Sequence, residues 1–428
     1  MLSKEQGERE SITIASTSAG RVLDAGRWTL LCLPPMGALP AVTIVVFLEV
    51  VCLGATFPVL NDYCLKLGCK PEHLGVIAGL MFALVAGPKV LTNVLWGSCS
   101  DRWGRRRALS VVTVGTMAGS VLWAVAPGLV VLAISRAIGG VFSAQGALAY
   151  AVASDVSRPE KRAASMGVLG AAFGVGLVVG IALGGLVGYQ LSIAAVGWFC
   201  AACQFVSLGV IIFVLPETAP PHTFGLGRSE SPRRQPLWRL AARLDIAWLL
   251  AICMLLTGGL AVLIPTLREI LRDWYDFGAH QVTLAFVVWA AVGLIVQGGL
   301  IRPIVKRLGE STTMVLGAAI LAGGFALLAA RPGHGGFWCA MVLIAVGGGL
   351  AVPALVSLMS LRVSEADQGA IHGLNQSITA LGRAAGYLMG GSLYVGFGPA
   401  WPYGIGAALV LIAAALLITR PATASPTE

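Results

Sequence analysis

The sequence predicts an all-α membrane protein, with twelve transmembrane helices in two six-helix pseudo-repeat bundles and both termini cytoplasmic. Three observations carry this. First, hydrophobic residues fill 57% of the 428 positions and charged residues only 11%, whereas a soluble domain carries about 25% charged residues. Second, the apolar residues gather into runs near the ~20 residues needed to cross a bilayer. Numbered as spans 1 to 12, these are 39–60, 74–96, 108–125, 129–153, 165–188, 193–215, 246–267, 282–304, 313–330, 337–359, 370–394 and 403–418. Third, of the 29 Lys and Arg residues, 21 fall on the side holding both ends of the chain, five on the other side, and three (Lys89, Arg136, Arg383) within spans. Short cytoplasmic loops collect positive charge, and an odd number of spans would break this bias.

Residues 1–37 are polar and lack an early apolar core, so they read as a disordered cytoplasmic tail rather than a signal peptide. The first bundle is 38–215, a polar linker rich in Pro, Arg and Ser is 216–245, the second bundle is 246–419, and 420–428 is a cytoplasmic tail. The net charge of +9 sits in short loops between spans and does not indicate nucleic-acid binding. Nine cysteines are scattered, most of them in apolar runs. Cys200 and Cys203 share a helix face without a nearby histidine, which favours small apolar packing over a metal site. Cys64 and Cys69 share one outer loop, where oxidation would allow a pair. All five histidines lie in loops or at helix ends, so no zinc centre and no cofactor is implied. The absence of a Gly-x-x-x-x-Gly-Lys-Ser/Thr loop argues against a primary pump, and no nucleophile constellation points to an enzyme.

Between spans 2 and 3 runs the basic stretch Gly-Ser-Cys-Ser-Asp-Arg-Trp-Gly-Arg-Arg-Arg-Ala-Leu, from Gly97 to Leu109. Its four arginines, Arg102, Arg105, Arg106 and Arg107, must face water or headgroups. Asp101 is a lone acid among them, which points to a specific partner. An echo, Lys306-Arg307-Leu308-Gly309-Glu310, follows span 8 at the same place in the second half. Two halves joined by a polar linker form a parallel repeat.

Glu49 is the one acid deep in a span. An acid at the bilayer centre costs about 2.5–3.5 kcal/mol, so function outweighs a packing role. Lys89 lies mid-span 2 after Pro88, with Asn93 one turn on, and reads as a cavity cation or as a partner of Glu49. Arg136 stands near the start of span 4, where a coupling role and a bond to neighbouring carbonyls weigh equally. In span 5, Gly176, Gly180, Gly184 and Gly188 make one smooth face. Such a face packs tightly and also lets helices slide. In span 11, His372, Asn375, Gln376, Thr379, Arg383 and Tyr387 share one stripe, the pattern of a water-filled cavity wall.

These motifs resemble the major facilitator superfamily. The carriers of the resemblance are Gly97-x-x-x-Asp101-Arg102-x-Gly104-Arg105-Arg106, Ser135-Arg136-Ala137-Ile138-Gly139-Gly140, and Ala153-Ser154-Asp155 followed by Arg158 to Arg162. Leu215-Pro216-Glu217-Thr218 is a weaker one. Within the superfamily the chain is similar to the drug:proton antiporter branch, nearest the tetracycline-resistance-like members. Glu49 followed by Gly54 and Pro58 matches span 1 of that branch, and Gly180 to Gly185 matches its span 5 signature without the proline. The further acids of those antiporters in spans 3 and 9 have no counterpart here.

The resemblance implies a proton-coupled secondary transporter that exports a small amphipathic compound. It implies proton coupling by Glu49 and Arg136. The substrate would be lined by Lys89, Asn93, Gln376, Thr379 and Arg383. The gate would be Gly97, Asp101, Arg102, Gly104, Arg105, Asp155 and Arg162, with Asp101 docking near the start of span 11. The partners are then a small-molecule substrate, protons and the lipid bilayer of a plasma or bacterial inner membrane, with the chain a monomer. An organic-anion or metabolite carrier is the alternative, since mid-membrane charge is net +2. A non-transporting sensor or scaffold of the same fold is a third reading.

Overall fold

In the computed structural model of the protein, the described residues are 37–157, 159–218, 240, 243–364 and 367–419. The tails and most of the linker therefore lie outside the described residues. All regular structure among the described residues is helical. The first half contains α1 (Ala38–Ala55), α2 (Leu60–Lys66), α3 (Leu74–Trp103), α4 (Arg105–Ala124), α5 (Leu129–Phe142), α6 (Gln145–Val156), α7 (Pro159–Gln190) and α8 (Ile193–Phe213). The second half contains α9 (Leu244–Ala261), α10 (Leu263–Tyr275), α11 (Ala279–Ile295), α12 (Ile301–Ala329), α13 (His334–Ser360), α14 (Gln368–Phe397) and α15 (Trp401–Thr419). A π-helical segment, Val296–Leu300, joins α11 to α12.

Ten helical stretches among the described residues are long and apolar enough to cross a membrane. One of them, Ala279–Ala329, has 51 residues. At ~1.5 Å per residue it measures roughly 77 Å, more than twice a ~30 Å hydrocarbon core. It is interrupted at Gly309, whose φ of 76° and ψ of 165° are non-helical. α14 matches α3 in length, at 30 residues, but its polar stripe lowers its apolarity.

Three predicted spans are broken in two. Span 1 divides at 56–59, between α1 and α2, and span 7 divides at Val262, between α9 and α10, where Val262 itself keeps helical φ and ψ. Span 4 divides at Ser143 and Ala144, where φ and ψ leave the helical region. In contrast, the basic stretch between spans 2 and 3 is helical on both sides of Gly104, so the connection shrinks to one residue.

The glycine stripe of α7 packs on α1. A Cβ on Gly176 would lie 2.9 Å from the Phe47 carbonyl oxygen, and those on Gly180 and Gly184 would strike the Val51 and Ala55 backbones. Gly54 of α1 answers with 2.8 Å to the Leu177 oxygen. The stripe thus welds two helices of one half, while its neighbours Gly174 and Gly185 approach Leu294 and Thr283 of α11 in the other half.

Candidate functional site: a central charged cluster between two unlike ends

Glu49 sits beside the break in span 4. The Ser143 hydroxyl donates to its Oε1 at 3.2 Å, and the Gly146 backbone N–H also donates to its carboxylate. The first N–H groups of a helix have no partner within it, and they carry the positive end of its dipole. Ala144, at the α6 N-cap, offers no side-chain cap, so a carboxylate from α1 takes that place. A break in a spanning helix is tolerated where it lines a cavity, and this one does. A cavity of about 90 Å³, lined by Glu49, Thr116, Arg136, Ser143, Cys200 and Gln204 among others, lies inside the first half.

Arg136 borders the same cavity and is 8% exposed. Its Nε donates to the Met81 carbonyl at 3.4 Å, and its guanidinium carbon lies 5.4 Å from the centre of the Trp123 ring. Among the described residues, no carboxylate pairs with it. Lys89 is half-buried on α3, within the electrostatic field of Glu49, Arg383 and Arg136, without a direct ion pair among the described residues. Three cations and one acid, drawn from four spans, therefore share the middle of the molecule.

The rest of the span 11 stripe divides by environment. His372, Gln376 and Arg383 are exposed, whereas Asn375 is buried. Cys253 of α9 donates to Asn375 Oδ1 at 3.3 Å, and its sulfur lies 3.4 Å from the half-buried Thr379. Asn375 and Thr379 thus hold α14 against α9. Tyr387 is buried against Phe82, ring centres 5.4 Å apart. Asn93 is half-buried one turn beyond Lys89.

At the end carrying the basic stretch, Arg105 is the hub. It contacts Asp101 at 2.6 Å and Asp155 at 2.9 Å, and donates to Ser100 Oγ at 2.6 Å. Asp101, with its side chain 53% exposed, is thus engaged by Arg105. Arg102 is exposed, and a Cβ on Gly97 would meet no described residue within 4 Å. The Arg162 side chain lies outside the described residues.

Gly104 has φ 98° and ψ 146°, a conformation that only glycine adopts cheaply. A Cβ there would also lie 2.5 Å from Glu217 Oε2. Glu217, beyond α8, accepts from the backbone N–H groups of Arg105 at 2.8 Å and Arg106 at 3.3 Å. Its carboxylate caps the N-terminus of α4. Gly309 repeats the positive φ in the second half, but among the described residues nothing lies within 4 Å of a Cβ placed there. Among the described residues the echo keeps the turn without an acid that fills it.

The opposite, far end is closed by contacts between the halves. Phe57 lies 5.8 Å from Phe82 and 6.0 Å from Phe286 between ring centres. A Cβ on Gly75 of α3 would sit 3.0 Å from the Gly391 oxygen of α14. Asn61 of α2 donates to the Pro265 carbonyl at 2.9 Å and to Glu269 Oε1 at 3.2 Å, and Arg268 pairs with Asp62. The hydrogen bonds, ion pairs, ring contacts and glycine approaches described between the halves all lie from mid-helix to this far end. Those described at the Asp101 end stay within one half.

The sequence profile of the Major Facilitator Superfamily matches residues 41–387 and 303–428. The chain belongs to this superfamily. It is therefore an integral multi-pass membrane protein of a family of transporters, not of enzymes. It is 31% identical to the class G tetracycline resistance protein of Vibrio anguillarum over 384 residues, covering 87% of this chain and 95% of the relative. Two solved structures share its fold at a TM-score of 0.71. The human organic anion transporter MFSD10 (TETRAN) covers 90% of this chain and 100% of its own at 21% identity. The nucleoside transporter NupG covers 90% and 99% at 16% identity.

Several residues of this major facilitator protein carried no sequence signal of a role. Glu269 lies just past predicted span 7, yet α10 continues through it and leaves it 2% exposed. Its flanking arginines, Arg268 and Arg272, were the available hint. Ser143 and Gly146 were marked only by a Ser/Gly-rich run within an apolar span.

Proposed function

We propose that this chain is a proton-coupled secondary transporter that exports a small amphipathic compound by alternating access. The observation carrying the proposal is Glu49, a mid-span acid anchored on a broken helix and placed in the field of Lys89, which in turn feels Arg136 and Arg383. Glu49 holds the coupling proton, assisted by Arg136. Lys89, Asn93, Gln376, Thr379 and Arg383 contact the substrate. Gly97, Asp101, Arg102, Gly104, Arg105, Asp155 and Arg162 form the gate on the cytoplasmic side. The twelve-crossing layout counts α14 as a span and divides Ala279–Ala329 at Gly309. Both termini are then cytoplasmic, 38–215 and 246–419 form the two bundles, and a monomer suffices. With its contacts gathered at the far end, the molecule is open toward the cytoplasm. Similarity to tetracycline resistance proteins supports drug export.

One observation favours an organic anion as the cargo: three cations face a single acid at mid-depth. The likeness to the human organic anion transporter agrees with that reading in fold.

The test is growth of an efflux-deficient bacterial strain producing the protein, on cationic, neutral and anionic antimicrobials. Wild type is compared with Glu49→Gln at matched membrane levels. Protection lost in the variant supports proton-coupled export through Glu49. Protection that survives moves the proton site elsewhere. No protection against any compound removes drug export and directs the assay to organic-anion uptake in proteoliposomes.

A further inference from the structure

We propose that Cys52 and Cys200 form a dithiol site in the wall of the first-half cavity, which binds trivalent organoarsenicals by bridging the two sulfurs. The site stands on the cavity and its thiols, whether or not the chain exports a drug.

Two helices of the first half bring the sulfurs together. Cys52 lies on α1, one turn past Glu49, and Cys200 and Cys203 lie one turn apart on α8. The Cys52 thiol donates to the Cys200 carbonyl at 3.6 Å, and the Cys200 thiol donates to the Cys52 carbonyl at 3.7 Å. This reciprocal pair sets the two residues face to face where α1 meets α8. The Cys52 side chain also meets those of both Cys200 and Cys203. Cys52 and Cys200 are 8% and 4% exposed, and both line the cavity of about 90 Å³ that reaches Glu49, Arg136 and Ser143. Cys203, half-buried, stands outside that lining.

A single buried cysteine behaves as a small hydrophobe with a weak S–H donor. Two that open on a common cavity can do more, because paired thiols chelate soft elements. A structural zinc ion takes four ligands, and among the described residues no group of three or more His, Cys, Asp or Glu side chains is placed to hold a metal ion. A pair of sulfurs matches an element that two thiols complete, and trivalent arsenic with one carbon substituent is such an element. Methylarsonous acid carries a methyl group and two hydroxyls on arsenic. Its two As–O bonds break, two As–S bonds form, and each hydroxyl leaves as water with one thiol proton. Arsenic stays trivalent, so no oxidant or reductant is needed.

Size and charge agree with this ligand. The cavity is several times the roughly 10–15 Å³ that one water requires, which leaves room for a methyl-arsenic unit. The free acid is uncharged, so entering a buried site does not strip an ion of its water. Cys64 and Cys69 are a second close pair, at the far end, where the Cys69 N–H donates to the Cys64 carbonyl at 3.0 Å. Neither lines the cavity, and both are removed in the test.

The experiment titrates the full-length protein in lipid nanodiscs with methylarsonous acid, in a Cys64→Ser/Cys69→Ser background. Bound arsenic is counted by elemental mass spectrometry after desalting, and its neighbours are read by X-ray absorption. The expected result is one tightly bound arsenic per chain with two sulfur neighbours, released by excess dimercaptopropanol. Cys52→Ala and Cys200→Ala should each raise the Kd at least about tenfold, because a chelate becomes a single bond. Cys203→Ala, beside the site, and Cys339→Ala, exposed on α13, should stay near the background value. Unchanged affinity in either Cys52→Ala or Cys200→Ala overturns the proposal. So does a loss in Cys203→Ala equal to that in Cys52→Ala, which would put the arsenic outside the cavity wall. Where a cavity variant is not monodisperse on gel filtration, X-ray absorption of the background protein decides, and arsenic with one sulfur neighbour or none refutes a dithiol. Binding is read without transport, so a chain that exports nothing removes the export reading and leaves this test intact.

Discussion

The pair Gly104 and Gly309 allows a quantitative test of the turn between α3 and α4. Both have a positive φ, 98° and 76°, and alanine at either site incurs backbone strain of ~1–3 kcal/mol. The sites differ in surroundings. An alanine Cβ at 104 would lie 2.5 Å from Glu217 Oε2, while no described residue lies within 4 Å of one at 309. Gly104→Ala must therefore also displace the carboxylate that caps α4. Glu217 is exposed, which puts that cap at about 0.5–1 kcal/mol. Equilibrium unfolding in mixed micelles should show Gly104→Ala less stable than Gly309→Ala by roughly that amount. The excess should vanish when Glu217 is first changed to Ala, because the two changes act through one contact. If the excess persists in the Glu217→Ala background, the carboxylate does not act as the cap. If Gly309→Ala costs more, the asymmetry between the two repeats is wrong.

Two further outcomes test the packing and the far-end helix. Gly180→Ala should destabilise the fold by about 1–3 kcal/mol through overpacking, because its Cβ meets the Val51 backbone, whereas Gly170→Ala, with open space around it, should be neutral; equal melting temperatures would refute this reading of the α1–α7 seam. Burial, with Cys69 nearby, pushes the Cys64 thiol up to about 12, so at pH 9 its thiolate fraction is on the order of 0.1%, against a majority for a free cysteine. Wild-type Cys64 should therefore resist alkylation at that pH, and labelling at the rate of a free thiol would contradict the closed far end.

What the sequence revealed followed the range of its interactions. Spans announce themselves through local apolarity, and Glu49, Lys89, Arg136 and Arg383 through charges misplaced in hydrocarbon. The Asp101–Arg105 pair is one helical turn apart and was legible as a motif. Three features were not. The break at Ser143 and Ala144 lies in an apolar run whose glycines read equally well as packing residues. Glu217 reaches a helix start 112 positions away, and Asn61 reaches Glu269 across 208. No local pattern encodes such a meeting. The predicted end of span 7 hid Glu269, because charged neighbours end an apolar run even where the helix and its burial continue. The period of span 11 puts six polar residues on one stripe, but the period alone could not tell that Asn375 and Thr379 contact Cys253 while Gln376 and Arg383 are exposed.

On the proposed reading, the charge of the central cluster would link the proton to the cargo. With Glu49 ionised, the cluster of Glu49, Lys89, Arg136 and Arg383 is net positive by two, and with Glu49 protonated, by three. One unit charge at roughly 7 Å and an effective dielectric near 20 is worth about 2.4 kcal/mol, or roughly a 50-fold change in affinity. The sign depends on the cargo. An anion gains when Glu49 is protonated, because Lys89 then loses its nearest competing carboxylate, so proton and anion bind together. A cation gains when Glu49 is ionised, so proton and cation exclude each other, which is the condition for antiport. Binding measured against pH on the purified protein separates the two. Affinity for an anionic compound should rise as pH falls, affinity for a cationic one should fall, and both trends should flatten in Glu49→Gln. A pH dependence that is the same in wild type and Glu49→Gln would show that the coupling charge is carried by another group, and would detach Glu49 from the proton whatever the cargo proves to be.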